Sequence, residues 1–244
     1  MIRPNVASTV ERRLLVNYRL DPGVAAHHLP APLRPQLIRG HAVGGICLIR
    51  LGDVRPAWSP VRAGLHSENA AHRFAVEWDG PLGVETGVYI PRRDTTSRLS
   101  TLVGGRLFPG VHHRADFDVH ETADRLDIAY TSRDGTTRVR AAVTYPDGRT
   151  DGLSGSRLFA DLAEASAFFR NGSKGYSATR RRHLDGMTLD TDAWHMDTCR
   201  PLSITSSFFD DPDRFPPGSA VLDSTLLMRG LPARWQPLPA MDAA

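Results

Sequence analysis

A single stretch, residues 67–114, contains the side chains best suited to acid–base and anion-binding chemistry. It holds Glu68, several arginines and the adjacent pair His112 and His113, set between segments that alternate apolar and polar residues. Imidazole exchanges protons near neutral pH, and a carboxylate can do the same when its surroundings favour it. A guanidinium presents a planar fork of N–H donors that matches a carboxylate or an enolate. The stretch therefore indicates proton transfer on an anionic small molecule.

Each candidate in this stretch also has a structural interpretation. Glu68 lies five residues before Arg73, so the two could hold a substrate or pair with each other inside the protein. Arg106 could bind anionic oxygen or form a buried ion pair with a neighbour such as Asp116. His113 could transfer protons or cap a strand through hydrogen bonds. The sequence leaves these alternatives open.

A metal site is a further alternative, because five possible ligands are close in sequence: His66, Glu68, His72, His112 and His113. On a strand, residues 66 and 68 would share one face and could hold zinc. Neither an HExxH motif nor a set of Cys and His pairs is present. We therefore assign no metal and no cofactor.

The chain as a whole reads as one globular domain, residues 1–244. Apolar residues make up 41% of it, which is enough for a core, and no apolar run approaches the roughly 18–20 residues needed to cross a bilayer. The first residues lack the apolar segment of a secretion signal, so we expect a cytoplasmic protein with no membrane partner. The two cysteines, Cys47 and Cys199, are then expected to be reduced thiols.

The net charge of +3 comes mainly from arginine, since Lys174 is the only lysine. The run Arg180–Arg182 could contact nucleic acid, but it lacks interleaved aromatic residues and any known binding motif. We interpret it as a solvated loop and expect no nucleic-acid partner. Lys174 itself lies between glycines, where burial of an amine is difficult to achieve.

The elements that must position these residues are mostly strands. Alternating or continuously apolar segments predict strands at residues 14–20, 41–51, 71–78, 86–89, 114–120, 126–132, 137–144, 202–208 and 221–228. Gly44-Gly45 indicates a bulge or a close backbone approach. Short helices are predicted at 23–28 and 158–169, the latter opened by Ser156. The segment 97–107 is ambiguous, although its apolar positions have helical spacing. Otherwise the last third reads as loops.

Several strings resemble the acetoacetate decarboxylase-like superfamily, and within it the branch of unknown function. These strings are NYRLDP at 17–22, ICLIRLGDVRP at 46–56, the 67–114 block, SAFFRNGSKGYS at 166–177, SSFFDD at 206–211 and FPPGSAVLDSTLLMR at 215–229. The resemblance implies an α+β, β-rich fold: an antiparallel β-barrel or cone with a few short helices at its rim. It also implies a ligand cavity and a homo-oligomer.

The same resemblance implies which residues form the site. Gly105, Arg106 and Gly110 match the family's Gly-Arg and Gly, and His113 stands where decarboxylating members have a lysine that forms an imine. Imidazole has no primary amine, so ordinary imine-dependent decarboxylation is not expected. Alternation along a strand lets only one of His112 and His113 face the cavity, and the match favours His113.

We therefore expect a lyase-, hydratase- or cyclase-type enzyme acting on a β-keto or other carboxylate-bearing metabolite, or else a non-catalytic ligand-binding protein of the same fold. The expected catalytic residues are His113, Glu68 and Arg106. The expected substrate-binding residues are Arg73, Arg93 and Tyr176, whose ring would close the rim of the cavity.

Overall fold

The computed structural model describes residues 4–61, 66–98, 108–145, 153–179 and 183–242. The strands are β1 (Val6–Leu20), β2 (Arg34–Pro35), β3 (Leu37–Ile38), β4 (His41–Pro56), β5 (Ser67–Gly80), β6 (Gly83–Thr95), β7 (His112–Glu121), β8 (Arg125–Ser132), β9 (Arg138–Thr144), β10 (Lys174–Ala178), β11 (His183–Asp190), β12 (Asp197–Ser206) and β13 (Ala220–Asp242). The helices are α1 (Pro22–His27) and α2 (Leu162–Asn171). The predicted strand-rich α+β fold with few helices is confirmed.

The strands form two closed rings that share a wall. In the first ring the order is β1, β4, β5, β6, β10, β11 and β13, and β13 pairs again with β1. In the second ring β7, β8, β9 and β12 connect β6 to β13. The wall that both rings share therefore consists of β13, β1, β4, β5 and β6. The pairings are antiparallel except that β6 runs parallel to β7 and to β10.

The shared wall is buried on both faces, which explains its long apolar runs. In β1, Leu14, Val16 and Tyr18 pack into the second ring, whereas Leu15 packs into the first. The same alternation places Arg13 on the face of the first ring, since its parity is that of Leu15. The predicted close approach at Gly45 is confirmed: a Cβ there would lie 2.4 Å from the carbonyl oxygen of Val16.

Both helices begin at side-chain caps. The carboxylate of Asp21 accepts the backbone N–H of Val24, as expected for α1. For α2 the predicted start at Ser156 is wrong: Asp161 caps the helix, and the Glu164 carboxylate accepts the N–H of Ala160 in return. Ser156 instead caps the turn before the helix. Gly172 ends α2. The side chain of Phe169 points into the interior of the first ring of strands.

The prediction of a loop-rich last third is wrong, because β10 to β13 fill most of residues 174–242. The start of β13 matches the strand predicted at 221–228, but prolines hid the rest of its 23 residues. Proline cannot donate to a ladder and normally argues against a strand interior. Here Pro232 pairs with Thr9 and Pro237 with Met187, so the strand continues past both. Of the ambiguous segment 97–107, residues 99–107 lie outside the described residues.

Candidate functional site

A two-lobed cavity lies inside the first ring. The inner lobe is about 100 Å³ and the outer lobe about 140 Å³. Ile49, Ala71, Arg93, Phe108 and Trp235 line both lobes, and the rings of Phe108 and Trp235 meet edge to face between them. Drug-sized ligands occupy pockets of roughly 300–1,000 Å³, so each lobe suits a ligand of only a few heavy atoms.

Arg73 on β5 points into the inner lobe and is only 2% exposed. Its Nη2 donates to Oδ1 of Asn17 at 2.5 Å, while Nε and Nη1 have no hydrogen-bond partner among the described residues. The glycine at position 45 makes room for it, since a Cβ there would lie 3.3 Å from Nη2. Burial lowers the pKa of Arg73 to about 10, and Arg13 adds to this effect. Arg73 thus stays charged at neutral pH with free N–H donors.

Two further guanidiniums line the same cavity. Arg93 lies between the lobes, donates from Nε to Ser177 Oγ at 3.2 Å, and has its pKa lowered to about 10 by burial. Arg13 lines the inner lobe and donates from Nε to Cys47 Sγ at 3.3 Å. Neither contact supplies a negative carboxylate.

No acidic residue offsets this positive charge in the described part of the inner lobe, whose lining includes neither Asp nor Glu. Asp94 borders the outer lobe, but its carboxylate lies on the other face of β6, where Arg92 binds it at 2.7 Å. A buried cation without a counter-ion is unfavourable, and an anionic ligand would relieve that cost. The described inner lobe therefore carries buried positive charge without an acidic counter-charge.

His112 lines the outer lobe, and its Nδ1 has no hydrogen-bond partner among the described residues. Burial, followed by the charge of Arg93, lowers the pKa of His112 to about 3. The imidazole is therefore neutral near pH 7, and without a ligand it is a weak base. A bound anion next to Arg93 would raise the pKa of His112 again, because it would offset the guanidinium charge.

The expected orientation of the histidine pair is reversed. In the parallel pairing of β6 with β7, Arg93 is level with His112 and Asp94 with His113. Side chains at matched positions of neighbouring strands lie on the same face, so His112 follows Arg93 into the cavity. His113 lies on the other face, where its Nδ1 is 2.8 Å from Oδ2 of Asp134. Of the adjacent pair Arg92 and Arg93, only Arg93 appears in the described lining of the cavity.

Glu68 lies on the other face of β5 from Arg73, so the pairing considered between them is wrong. Positions 68 and 73 differ by an odd number, and alternation sends them to opposite sides of the strand. Glu68 Oε2 accepts instead from Arg12 Nη2 at 2.6 Å, and Arg12 Nη1 donates to Glu121 at 3.1 Å. Glu68 is absent from the described lining of both lobes.

Three more residues singled out in the sequence are accounted for. Arg106 lies outside the described residues. Tyr176 points away from the inner lobe and packs its ring against Trp78, and burial raises the pKa of its phenol to about 12. Lys174 forms an ion pair with Glu85 and is absent from the described lining of both lobes. Since this is the only lysine in the chain, no ε-amine is available in the cavity for imine formation.

Sequence reasoning missed Arg13, Cys47 and His112. Cys47 lies within an apolar run that is typical of a core strand. Arg13 is adjacent to Arg12, and alternation along the strand must direct these two side chains to opposite faces.

No group of three or more potential metal ligands converges within the described ranges, so the histidine-rich cluster does not assemble there. Arg180–Arg182 lie outside the described residues. None of the described helices is long and apolar enough to span a membrane.

Comparison with known proteins agrees with this architecture. Residues 7–203 match the model of the family DUF2071, which is described as an uncharacterized conserved protein. No curated protein matches the chain in sequence. Among solved structures, an acetoacetate decarboxylase-like enzyme from Sphingomonas wittichii RW1 aligns with a TM-score of 0.63 at 12% identity, covering 100% of this chain and 95% of that one.

Two other solved structures share the fold. Acetoacetate decarboxylase from Legionella pneumophila aligns with a TM-score of 0.58 at 14% identity, covering 99% of this chain and 87% of the other. The enduracididine biosynthesis enzyme MppR, in complex with pyruvate, aligns with a TM-score of 0.55 at 14% identity, covering 98% of this chain and 90% of that enzyme. At these identities the likeness establishes the fold alone.

Proposed function

The chain belongs to the DUF2071 family, and from its acetoacetate decarboxylase-like fold we propose that it binds a small 2-oxo or 3-oxo carboxylate inside the first ring. One observation carries the proposal: Arg13, Arg73 and Arg93 converge on a cavity whose inner lobe has no described acidic residue. Pyruvate is a reasonable first ligand, since it is bound by MppR, which has the same fold.

The carboxylate would bind between Arg73 and Arg93. The unpartnered Nε and Nη1 of Arg73 supply two donors, and hydrogen bonds between charged partners are shorter and stronger than neutral ones. The apolar remainder of the ligand would pack against Ile49, Phe108 and Trp235, which line both lobes. This arrangement selects small anions and excludes large ones.

The reaction that these residues support best is enolisation without an imine. His112 would remove a proton from the carbon next to the ligand's carbonyl group, and the guanidinium of Arg93 would stabilise the enolate oxygen. The negative ligand would raise the pKa of His112 as it binds, which makes the imidazole a stronger base when it is needed. Proton transfer is thus assigned to His112 in place of His113 and Glu68, which are held by Asp134 and Arg12.

A non-catalytic binding protein with the same cavity is the second candidate. It is favoured by the absence of a cavity lysine, since Lys174 pairs with Glu85. Such a protein would hold the carboxylate in the same way and leave its carbon-bound protons untouched.

One NMR experiment separates the two candidates. Pyruvate in D₂O is incubated with the protein, and loss of its methyl proton signal is followed while saturation transfer reports binding. The enzyme proposal predicts exchange that His112→Asn abolishes and His120→Asn leaves unchanged, because His120 is exposed beside Asp118. Binding without exchange would favour the binding protein. An absence of binding for both pyruvate and acetoacetate would contradict the proposed function.

A further inference from the structure

Cys47 is the one described thiol that lines the inner lobe. It lies on β4, is 7% exposed, and faces the first ring together with Ile49. Arg13 Nε donates to its Sγ at 3.3 Å. The thiol is therefore inside the cavity and already in contact with a cation.

Two further guanidiniums, those of Arg73 and Arg93, line the same lobe as this sulfur. The described lining includes neither Asp nor Glu, so no carboxylate there repels an anionic reagent. A reagent that carries a carboxylate is therefore attracted to the lobe that contains the thiol.

Arg73 adds an independent observation that points to a ligand. It is 2% exposed, faces the same lobe, and has two nitrogens without a partner. A carboxylate bound there would bring an adjacent carbon atom towards the sulfur. Holding two reactants together in this way is a large source of rate enhancement.

Cys199 is a natural comparison within the same chain. It lies on β12 in the core of the second ring, it is 1% exposed, and neither lobe includes it in the described lining. Burial raises the pKa of its thiol to about 12. Buried thiols in apolar surroundings are inert, so Cys199 serves as an internal reference.

We propose that Cys47 is a site of covalent modification by small carboxylates that carry an electrophilic carbon next to the carboxylate group. The inference rests on the carboxylate site proposed above, and iodoacetate is the probe. The thiol proton passes to the buffer, the sulfur forms a bond to the methylene carbon, and the carbon–iodine bond breaks with its electron pair leaving as iodide. Once alkylated, Cys47 carries a carboxylate that pairs with the arginines and blocks the lobe.

The test compares iodoacetate with neutral iodoacetamide on the full-length protein, with glutathione as the reference thiol and peptide mass mapping to locate the label. The iodoacetate to iodoacetamide rate ratio at Cys47 is expected to exceed that of glutathione by roughly tenfold, as a charge-assisted contact allows. Arg73→Met should return the ratio to that of glutathione, and Arg73→Lys should keep part of the preference. Arg93→Met gives a second variant if Arg73→Met fails to fold.

A ratio at Cys47 equal to that of glutathione in the native protein would overturn the proposal, as would preferential labelling of Cys199. Pyruvate separates this inference from the proposed function. Protection of Cys47 by pyruvate supports both. Preferential labelling that pyruvate does not slow supports the modification site and contradicts the oxo-carboxylate site. Pyruvate binding without a labelling preference keeps the proposed function and overturns the modification site.

Discussion

Two buried arginines, Arg12 and Arg73, lie on opposite faces of the shared wall and have opposite surroundings. Each is 2% exposed. Arg12 contacts Glu68 and Glu121, so its charge is neutralised within the protein. Arg73 has no carboxylate partner among the described residues and keeps two free nitrogens. Burial alone therefore does not distinguish the two arginines; the presence or absence of a carboxylate partner does.

This contrast assigns different roles to the two rings. The second ring is a packed core in which Phe208 and Phe209 stack around Tyr18 and His72. The first ring encloses space and holds charges that the protein does not satisfy. Buried and unpaired charges are unfavourable, so a protein retains them where a ligand of opposite charge pairs with them.

The largest expected effect is on stability, at Arg12. Arg12→Met would leave Glu68 without its main partner, and breaking such a pair from one side costs about 3 kcal/mol. We expect the free energy of unfolding in urea to fall by that amount while pyruvate affinity stays unchanged. An unaltered free energy of unfolding would show that Arg12 contributes nothing to the fold and would remove the contrast with Arg73.

The second ring should respond to acid through His72, as the first should through His112. His72 is 0% exposed, and burial, followed by the charges of Arg92 and Arg214, lowers its pKa from 6.5 to about 3. The unfolded chain then binds a proton that the folded chain does not. Stability from this group is complete above pH 6.5 and is lost as the pH falls towards 3, at about 1.4 kcal/mol per pH unit.

His72→Phe isolates this contribution, because phenylalanine cannot take up the proton and suits the aromatic cluster beside Phe208, whose centroid is 4.6 Å away. Urea unfolding from pH 7 to pH 4 should show a shallower loss of stability in the variant than in the wild type. Parallel curves for the two proteins would mean that His72 is protonated in the folded state.

The smallest expected effect is a gain in stability at Arg73. Arg73→Met removes a buried charge without leaving an acid behind, so the free energy of unfolding should rise by roughly 1 kcal/mol. The lost hydrogen bond to Asn17 offsets part of the gain. Thermal unfolding of the ligand-free protein measures the net change in stability. A loss of stability as large as that of Arg12→Met would mean that Arg73 has a structural role.

Much of the architecture could be predicted because alternation and apolar runs are local signals. They located most strands up to residue 144, and they predicted that only one of His112 and His113 faces inward. Which histidine does so depends on the parallel register of β6 and β7, a pairing between distant parts of the chain. Sequence spacing carries no information on that register.

Other features were hidden for similar reasons. Prolines concealed the part of β13 beyond residue 228. The partner of Glu68 proved to be Arg12, which is distant in sequence. Cys47 has the sequence context of a core residue and becomes noticeable only when three arginines surround it. The single-domain organisation, the cytoplasmic location and the homo-oligomeric state stay predictions.

The most direct test of the central claim is calorimetric titration of pyruvate into the wild type, Arg73→Met and Arg133→Met. Arg133 is the matched control, because it is exposed and paired with Asp116. We predict that the wild type and Arg133→Met bind equally and that Arg73→Met binds roughly 10–100-fold more weakly, the value of a hydrogen bond to a charged group. Equal affinity of all three proteins would contradict the claim that the first ring is an anion site.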